Sequence, residues 1–270
     1  MIALAIPIGL IIGLTLGALG GGGSILTVPA LVYLLGQDTQ AATTGSLIIV
    51  GITALAGMTA HHRAGRVRVA QGLVFGVLGI GGAYLGSLLS ASVAPAVLMS
   101  AFSLLMLTVA AMMFARARRR GGLPAMDAGA ADGPILMFRP SFACACPRAL
   151  KVLITASAVG LVTGFFGVGG GFVVVPALVL ALGFTMPVAV GTSLLVIAIN
   201  SASALVARAG HGVQLDWPLI GVFTLAAVVG SLAGGRLATR VRPERLTAAF
   251  TVLLVAVALY TAARSFPQIV

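Results

Sequence analysis

The chain has 270 residues, 60% of them hydrophobic and 8% charged, with a mean hydropathy of +1.16. A soluble domain carries about a quarter charged residues, and no soluble fold of this length has interior enough for so much apolar surface, so the solvent must be lipid. The net charge of +11 does not point to nucleic acid, because the basic residues fall in short clusters between apolar stretches, which is the pattern of cytoplasmic loops in membrane proteins.

The first apolar segment is predicted over Ile2–Leu19. No charge precedes Asp38, so there is no basic region of the kind that opens a secretory signal, and the segment is expected to remain in the mature protein. A run of four glycines, Gly20–Gly23, follows. Each glycine costs a helix about 1 kcal/mol against alanine, so the helix must break there. Next come Ile25–Leu35, Ala41–Ala60, Val69–Ser90 and Pro95–Ala115. The Arg63, Arg66, Arg68 cluster lies between the third and fourth of these five. A polar stretch, Arg116–Pro147, reads as a flexible cytoplasmic tether and holds most of the second basic cluster together with Cys144 and Cys146. Two thiols cannot complete a four-ligand zinc site, and they are expected to be free. The second half offers Leu150–Phe166, Phe172–Leu182, Pro187–Val206, Trp217–Leu237 and Leu246–Ala263, with Arg236, Arg240, Arg242 and Arg245 between the last two. Several of the ten segments approach the ~20 residues of a spanning helix. The second and seventh are about half that and need not cross fully.

The halves echo each other. Gly13–Val32 and Gly160–Val179 align without a gap at eleven identical positions of twenty, including Gly13/Gly160, Gly20/Gly167, Gly22/Gly169, Gly23/Gly170 and Pro29/Pro176, and the register continues to Ser46/Ser193. The expected fold is an all-α polytopic membrane protein built from a repeat over 1–116, a linker over 117–148 and a second repeat over 149–270. With all three basic clusters on the cytoplasmic side, five passes per half turn the second copy upside down. That is the inverted repeat of many carriers, whose sites form where helices break near the midplane.

A helix break in lipid survives where it lines a polar cavity or is covered by protein. A glycine loop before a helix start offers N–H groups and the positive end of a dipole to an anion; close helix packing through small residues is the competing reading, and it suits Gly13/Gly17 and Gly160/Gly164 best. The candidate substrate-binding residues are therefore Gly20, Gly21, Gly22, Gly23 and Ser24 with Thr44 and Ser46 in one half, and Gly167, Gly169, Gly170, Gly171, Thr192, Ser193 and Asn200 in the other. Ser and Thr in a membrane helix commonly bond back to their own helix. Asn200 stands out, since a buried amide needs partners on several sides. The acids Asp38 and Asp216 fall at outer segment ends, Glu244 in a basic loop, and Asp127 and Asp132 in the linker, so none sits in mid-membrane. His61, His62 and His211 border loops and read as interfacial. No metal cluster, nucleophile–base pair or cofactor motif is present, so neither enzyme chemistry nor a cofactor is expected.

The doubled glycine block with its P-A-L ending, Gly13–Leu31 and Gly160–Leu178, the helical halves and the basic central linker resemble the TauE/SafE family of sulfite exporters, also called probable membrane transporters. The resemblance covers essentially the whole chain. It implies export of small anions such as sulfite, organosulfonates or related sulfur-containing or organic anions across the cell inner membrane. The first run, GALGGGGS, lacks the aromatics of the second, GFFGVGGG, so strict two-fold coordination of a substrate is not implied. Expected partners are the small anionic substrate and the lipid bilayer, with no nucleic acid; association into a homo-oligomer is left open. The alternatives are a non-transporting membrane assembly protein, with its glycines sealed in closed interfaces, and an intramembrane enzyme such as an acyltransferase, which would need a mid-membrane His or Asp with a partner.

Overall fold

The structure, a computed structural model, describes residues 2–90, 95–120, 146–166, 171–208 and 214–265. It is helical, with no strand among the described residues. Helix α1 spans Ile2–Leu19. A tight 3₁₀ turn, Gly20–Gly23, leads into α2 (Ser24–Pro29), which loosens into a π turn over Ala30–Leu34 directly after Pro29. The longer helices α3 (Thr39–Arg63), α4 (Val69–Ser90) and α5 (Pro95–Arg120) follow. Then come α6 (Cys146–Phe166), the short α7 (Gly171–Leu180), α8 (Met186–Arg208), α9 (Trp217–Arg240) and α10 (Pro243–Ser265). Among the described residues, five stretches are long and apolar enough to cross a membrane: Leu4–Leu34, Gln40–Arg63, Val69–Gly86, Met186–Val206 and Trp217–Arg240.

Local chemistry sets the helix ends. Asp38 caps α3, its carboxylate accepting from the backbone N–H groups of Gln40 (2.9 Å) and Ala41 (3.4 Å). Asp216 caps α9 in the same way through Leu219 N–H (3.2 Å). Each satisfies donors that a helix start leaves open. Gly65, at φ +69°, turns the chain from α3 toward α4. The outward residues stay apolar: Leu225 is 70% and Val252 68% exposed. That surface suits lipid.

Lipid is as apolar as leucine, so helices in it associate through close packing rather than hydrophobic burial. The glycines supply that closeness. On α1, a side chain at Gly13 would fall on the Ala227 carbonyl and one at Gly17 on the Ser231 carbonyl of α9; from the other side, Gly230 abuts the Leu10 carbonyl and Gly234 that of Leu14. The rising numbers on both helices show that α1 and α9 run parallel. Helices α4 and α6 are also parallel: Gly160 lies on the Gly79 carbonyl, Gly82 on that of Ser157 and Gly86 on that of Leu161. Helix α3 packs along α9 in the same direction, while α3 and α8 cross antiparallel, with Gly51 against Ser201 and Gly57 against Leu194. Helix α5 packs on α10.

Because α1 and α3 point the same way, the chain must travel back between them. The glycine turn and α2 do this. Leu31 and Leu35 return to the level of Ala5 and Ile12 and share a core with Ala42, Leu219 and Phe223. The apolar run Leu4–Leu34 is therefore a helix folded back on itself. A larger core gathers around α7, where Phe172, Val174, Val175 and Leu178 pack against Phe250 and Leu254 of α10.

Candidate functional site

The reversal at the end of α1 places the first glycine run in the middle of the molecule. Gly20, Gly21, Gly22 and Gly23 are all buried. Gly20 takes φ +68°, the left-handed conformation that glycine adopts without penalty, and faces the Ser193 hydroxyl and the Val190 carbonyl of α8. Gly21 touches the backbone of Gly171 at the start of α7, so the two glycine blocks meet. Gly23 lies on the backbone of Leu16. Gly22 faces only the side chains of Leu253 and Phe250. Among the described residues of the run, Gly20 alone has a positive φ. Gly167, Gly169 and Gly170 lie outside the described residues.

The candidate hydroxyls divide into two groups. Ser24 donates to the Gly21 carbonyl (2.7 Å), Ser46 to Thr43 (2.8 Å) and Ser193 to Val190 (2.8 Å). With the proton committed to its own helix, each of these oxygens turns lone pairs to its neighbours. Thr192 sits apart, near the basic end, where its oxygen accepts from Arg68 N–H (3.1 Å). Thr44 is buried. In contrast, the side-chain oxygens of Asn200, Thr53 and Ser201 are buried with no hydrogen-bond partner. All three lie in the central stretches of the crossing pair α3 and α8, and Asn200 borders Gly79 of α4. In the repeat register that pairs Ser46 with Ser193, Thr53 is the counterpart of Asn200. Sequence reasoning singled out Asn200 but passed over Thr53; the shared register was the signal that could have found it.

The basic end holds a second set of contacts. His61 is not interfacial as its loop-edge position suggested. It is 1% exposed, and its Nε2 donates to the Gly17 carbonyl of α1 (2.8 Å), one of the last carbonyls that an ending helix leaves unpaired. Its pocket is walled by glycines of other helices, Gly191 of α8 and Gly235 of α9. The Arg66 guanidinium donates to the Ala238 (3.2 Å) and Thr239 (3.0 Å) carbonyls at the end of α9, meeting the negative end of that helix's dipole. The α3–α4 loop thus ties down α1, α8 and α9. It puts the Arg63–Arg68 cluster beside Arg236 and Arg240, as charge placement anticipated, and Asp38 and Asp216 at the opposite ends of the parallel helices α3 and α9. The segment 121–145, with Cys144, and His211 lie outside the described residues. Among the described residues no group of His, Cys, Asp or Glu could hold a metal ion.

This buried glycine turn among polytopic helices can be set beside known proteins. The family described as Sulfite exporter TauE/SafE matches residues 5–261. The chain belongs to the TauE/SafE family. A probable membrane transporter protein of Xylella fastidiosa strain Temecula1 is 31% identical over 263 residues, covering 96% of this chain and 94% of that one. The counterpart from strain 9a5c is 32% identical over the same shares. The probable membrane transporter protein YunE of Bacillus subtilis strain 168 is 27% identical over 92% of this chain and 91% of its own length. No solved structure matches the chain. As a TauE/SafE protein with several spanning helices, the chain is a multi-pass membrane protein of a transporter family.

Proposed function

We propose that this transporter exports small oxyanions, sulfite and organosulfonates foremost, across the inner membrane without cofactor or catalysis. The observation that carries the reading is the pair of buried, unpartnered side-chain oxygens at Asn200 and Thr53. An unsatisfied polar group costs about 1–3 kcal/mol, and a group left so in mid-membrane is one reserved for a transported partner. The Thr53 and Ser201 hydroxyls can turn their O–H toward an anion, whereas the Asn200 Oδ1 only accepts, so the amide must rotate to present its Nδ2 donors there. The glycine runs Gly20–Gly23 and Gly167–Gly171 supply backbone N–H groups and the hinges on which the halves move.

The halves are read as an inverted repeat. Three close contacts support this. With α6 laid on α1 in the register of Gly13/Gly160, and α4 laid on α9 in a register shifted by one residue so that Phe75 meets Phe223 and Gly82 meets Gly230, the contacts Gly13 on Ala227, Gly230 on Leu10 and Gly234 on Leu14 become Gly160 on Gly79, Gly82 on Ser157 and Gly86 on Leu161. Exchange of the halves maps one helix pair onto the other, while the counterparts α3 and α8 run antiparallel. A two-fold axis in the membrane plane has both properties. Export agrees with electrostatics, since one negative charge leaving an inside-negative cell gains about 2.3 kcal/mol per 100 mV, and no mid-membrane acid is needed for coupling.

The test is sulfite flux in proteoliposomes carrying Asn200 variants. Asn200→Ala is expected to weaken transport by about tenfold or more, from the loss of contacts worth about 1–3 kcal/mol. Asn200→Asp is expected to be worse, because a carboxylate repels the anion. Wild-type flux in Asn200→Asp would place the anion path elsewhere. Cysteines introduced at Arg66 and at Leu215 should label from opposite faces; labelling from one face would sink the inverted repeat.

A further inference from the structure

A cavity of about 300 Å³ opens at the basic face between the C-terminal ends of α3 and α9, lined by Thr59, Ala60, Arg63, Ala64, Leu232, Arg236 and Thr239. We propose that it is an oxyanion-collecting site, the place where a sulfite- or sulfonate-like ion is held before it enters the membrane path; this rests on the anion-transport reading above. At ~30 Å³ per water, the space holds a small oxyanion with part of its hydration shell.

Four observations carry the assignment. Two arginines line one small cavity from different helices, and no acid lines it. Neither the Arg63 nor the Arg236 guanidinium hydrogen-bonds or pairs with any described residue, whereas Arg66, three residues on from Arg63, spends its guanidinium on the Ala238 and Thr239 carbonyls. The negative end of α9 is thus already met by Arg66, so the other two charges are not occupied in neutralising it. The acids Asp38 and Asp216 are at the far ends of these same helices. Finally, the cavity-lining Ala60 and Arg63 flank in sequence His61, whose contact with the Gly17 carbonyl holds the foot of the glycine turn. A guanidinium fork suits the paired oxygens of a sulfonate, phosphate or carboxylate, so both a free oxyanion and an anionic lipid headgroup present the right chemistry. The two are separable by experiment.

The direct test reads the anion preference of the cavity without reference to transport. In a protein with Cys144 and Cys146 replaced by serine, Thr59→Cys is labelled in phosphatidylcholine vesicles with sulfonatoethyl and trimethylammonioethyl methanethiosulfonates, each rate normalised to that with a free thiol. At low salt the anionic reagent is expected to be favoured about tenfold, the lower range of charge focusing in clefts, and the preference should fall to about one when Arg63→Gln and Arg236→Gln are added. Protection by millimolar methanesulfonate, an oxyanion that attacks neither the thiosulfonate nor the mixed disulfide as sulfite would, supports a free-ion site. Protection only on adding phosphatidylglycerol would assign the cavity to lipid and overturn the proposal. So would a reagent ratio indifferent to the two arginines.

A flux arm follows. The double glutamine variant should raise the KM for sulfite presented at the basic face by about tenfold with kcat little changed, and Arg63→Lys with Arg236→Lys should stay within about twofold of wild type, since focusing depends on charge. An unchanged KM would overturn the proposal. Should wild-type protein move no oxyanion while the labelling preference holds, the transport reading would fail and the anion site would stand.

Discussion

Glycines on the α1 face and glycines in the turn that follows it occupy one unbroken stretch of sequence, yet they do different jobs. Gly13 and Gly17 are helical, and each sits where α9 brings a backbone carbonyl against α1. They are required because there is no room for a side chain. Gly20 is required because of its conformation, φ +68°. Gly21 and Gly23, although part of the turn, belong with the first kind, since Gly171 and Leu16 press their backbones against them. Gly22 belongs with neither. The letter alone does not say whether a glycine makes space, makes a bend or makes a site, so single substitutions are the way to separate the three.

The largest effect is expected at Gly17. A methyl there would collide with the Ser231 carbonyl, and neither backbone can yield without parting α1 from α9. Overpacking of this kind costs about 1–3 kcal/mol and more where nothing can give. Gly17→Val should therefore abolish folded protein, read as a lost monodisperse peak in detergent. Normal abundance for Gly17→Val would mean that the α1–α9 interface is looser than described here.

Gly20→Ala comes next. Left-handed backbone costs a non-glycine residue about 1–2 kcal/mol, and the added Cβ would also press on the Ser193 hydroxyl, 2.6 Å away. A lower melting temperature with the fold retained is the expected result. Ser193→Ala in the same protein should recover part of the loss by relieving the contact; no recovery would assign the whole effect to φ.

Much of this was legible beforehand. The described helices fall on apolar runs of the sequence, and the ends of α1 and α4 agree to the residue, while α5 runs on past Ala115 to Arg120, into the stretch read as a tether. The alignment of Gly13–Val32 with Gly160–Val179 needs only the letters, and charge placement put the Arg66 loop on the same side as the end of α9. What could not be read is contact between distant elements. His61 looked like a loop-edge histidine because nothing local shows that Gly17 carries a carbonyl lacking its helical partner 44 positions away. Thr53 carried only its repeat register with Asn200 as a signal: taken by itself, a threonine in a membrane helix is ordinary until its oxygen is found buried and without a partner. The polar reading of the glycine run also depended on which neighbours face it. For Gly22 those are Phe250 and Leu253, both from α10.

A smaller and opposite effect is expected at Gly221, inside α9, where an added Cβ meets nothing within 4 Å. Alanine there gains helix propensity of about 0.8–1.0 kcal/mol. Gly221→Ala should raise the melting temperature slightly and leave flux alone. A destabilised protein would show that this face of α9 is covered, by lipid ordering or by a second copy of the chain.

Gly22→Ala should change stability least, and for that reason it says most about function. Its φ is not in the left-handed range, so alanine brings no conformational penalty. The new methyl would meet a Leu253 methyl at 2.8 Å, and that contact is the far end of a flexible side chain that can rotate away. The shove costs a few tenths of a kcal/mol and the gain in propensity is of similar size, so the net is expected within about 0.5 kcal/mol of zero. Any loss of sulfite flux in Gly22→Ala protein of unchanged melting temperature then reports on the path rather than the fold: it would mean that the substrate, or the backbone motion that admits it, needs the space beside Gly22. Unchanged flux would remove Gly22 from the site and leave its neighbours Gly21 and Gly23 as packing glycines, with the anion contacts resting on Asn200, Thr53 and the second glycine run.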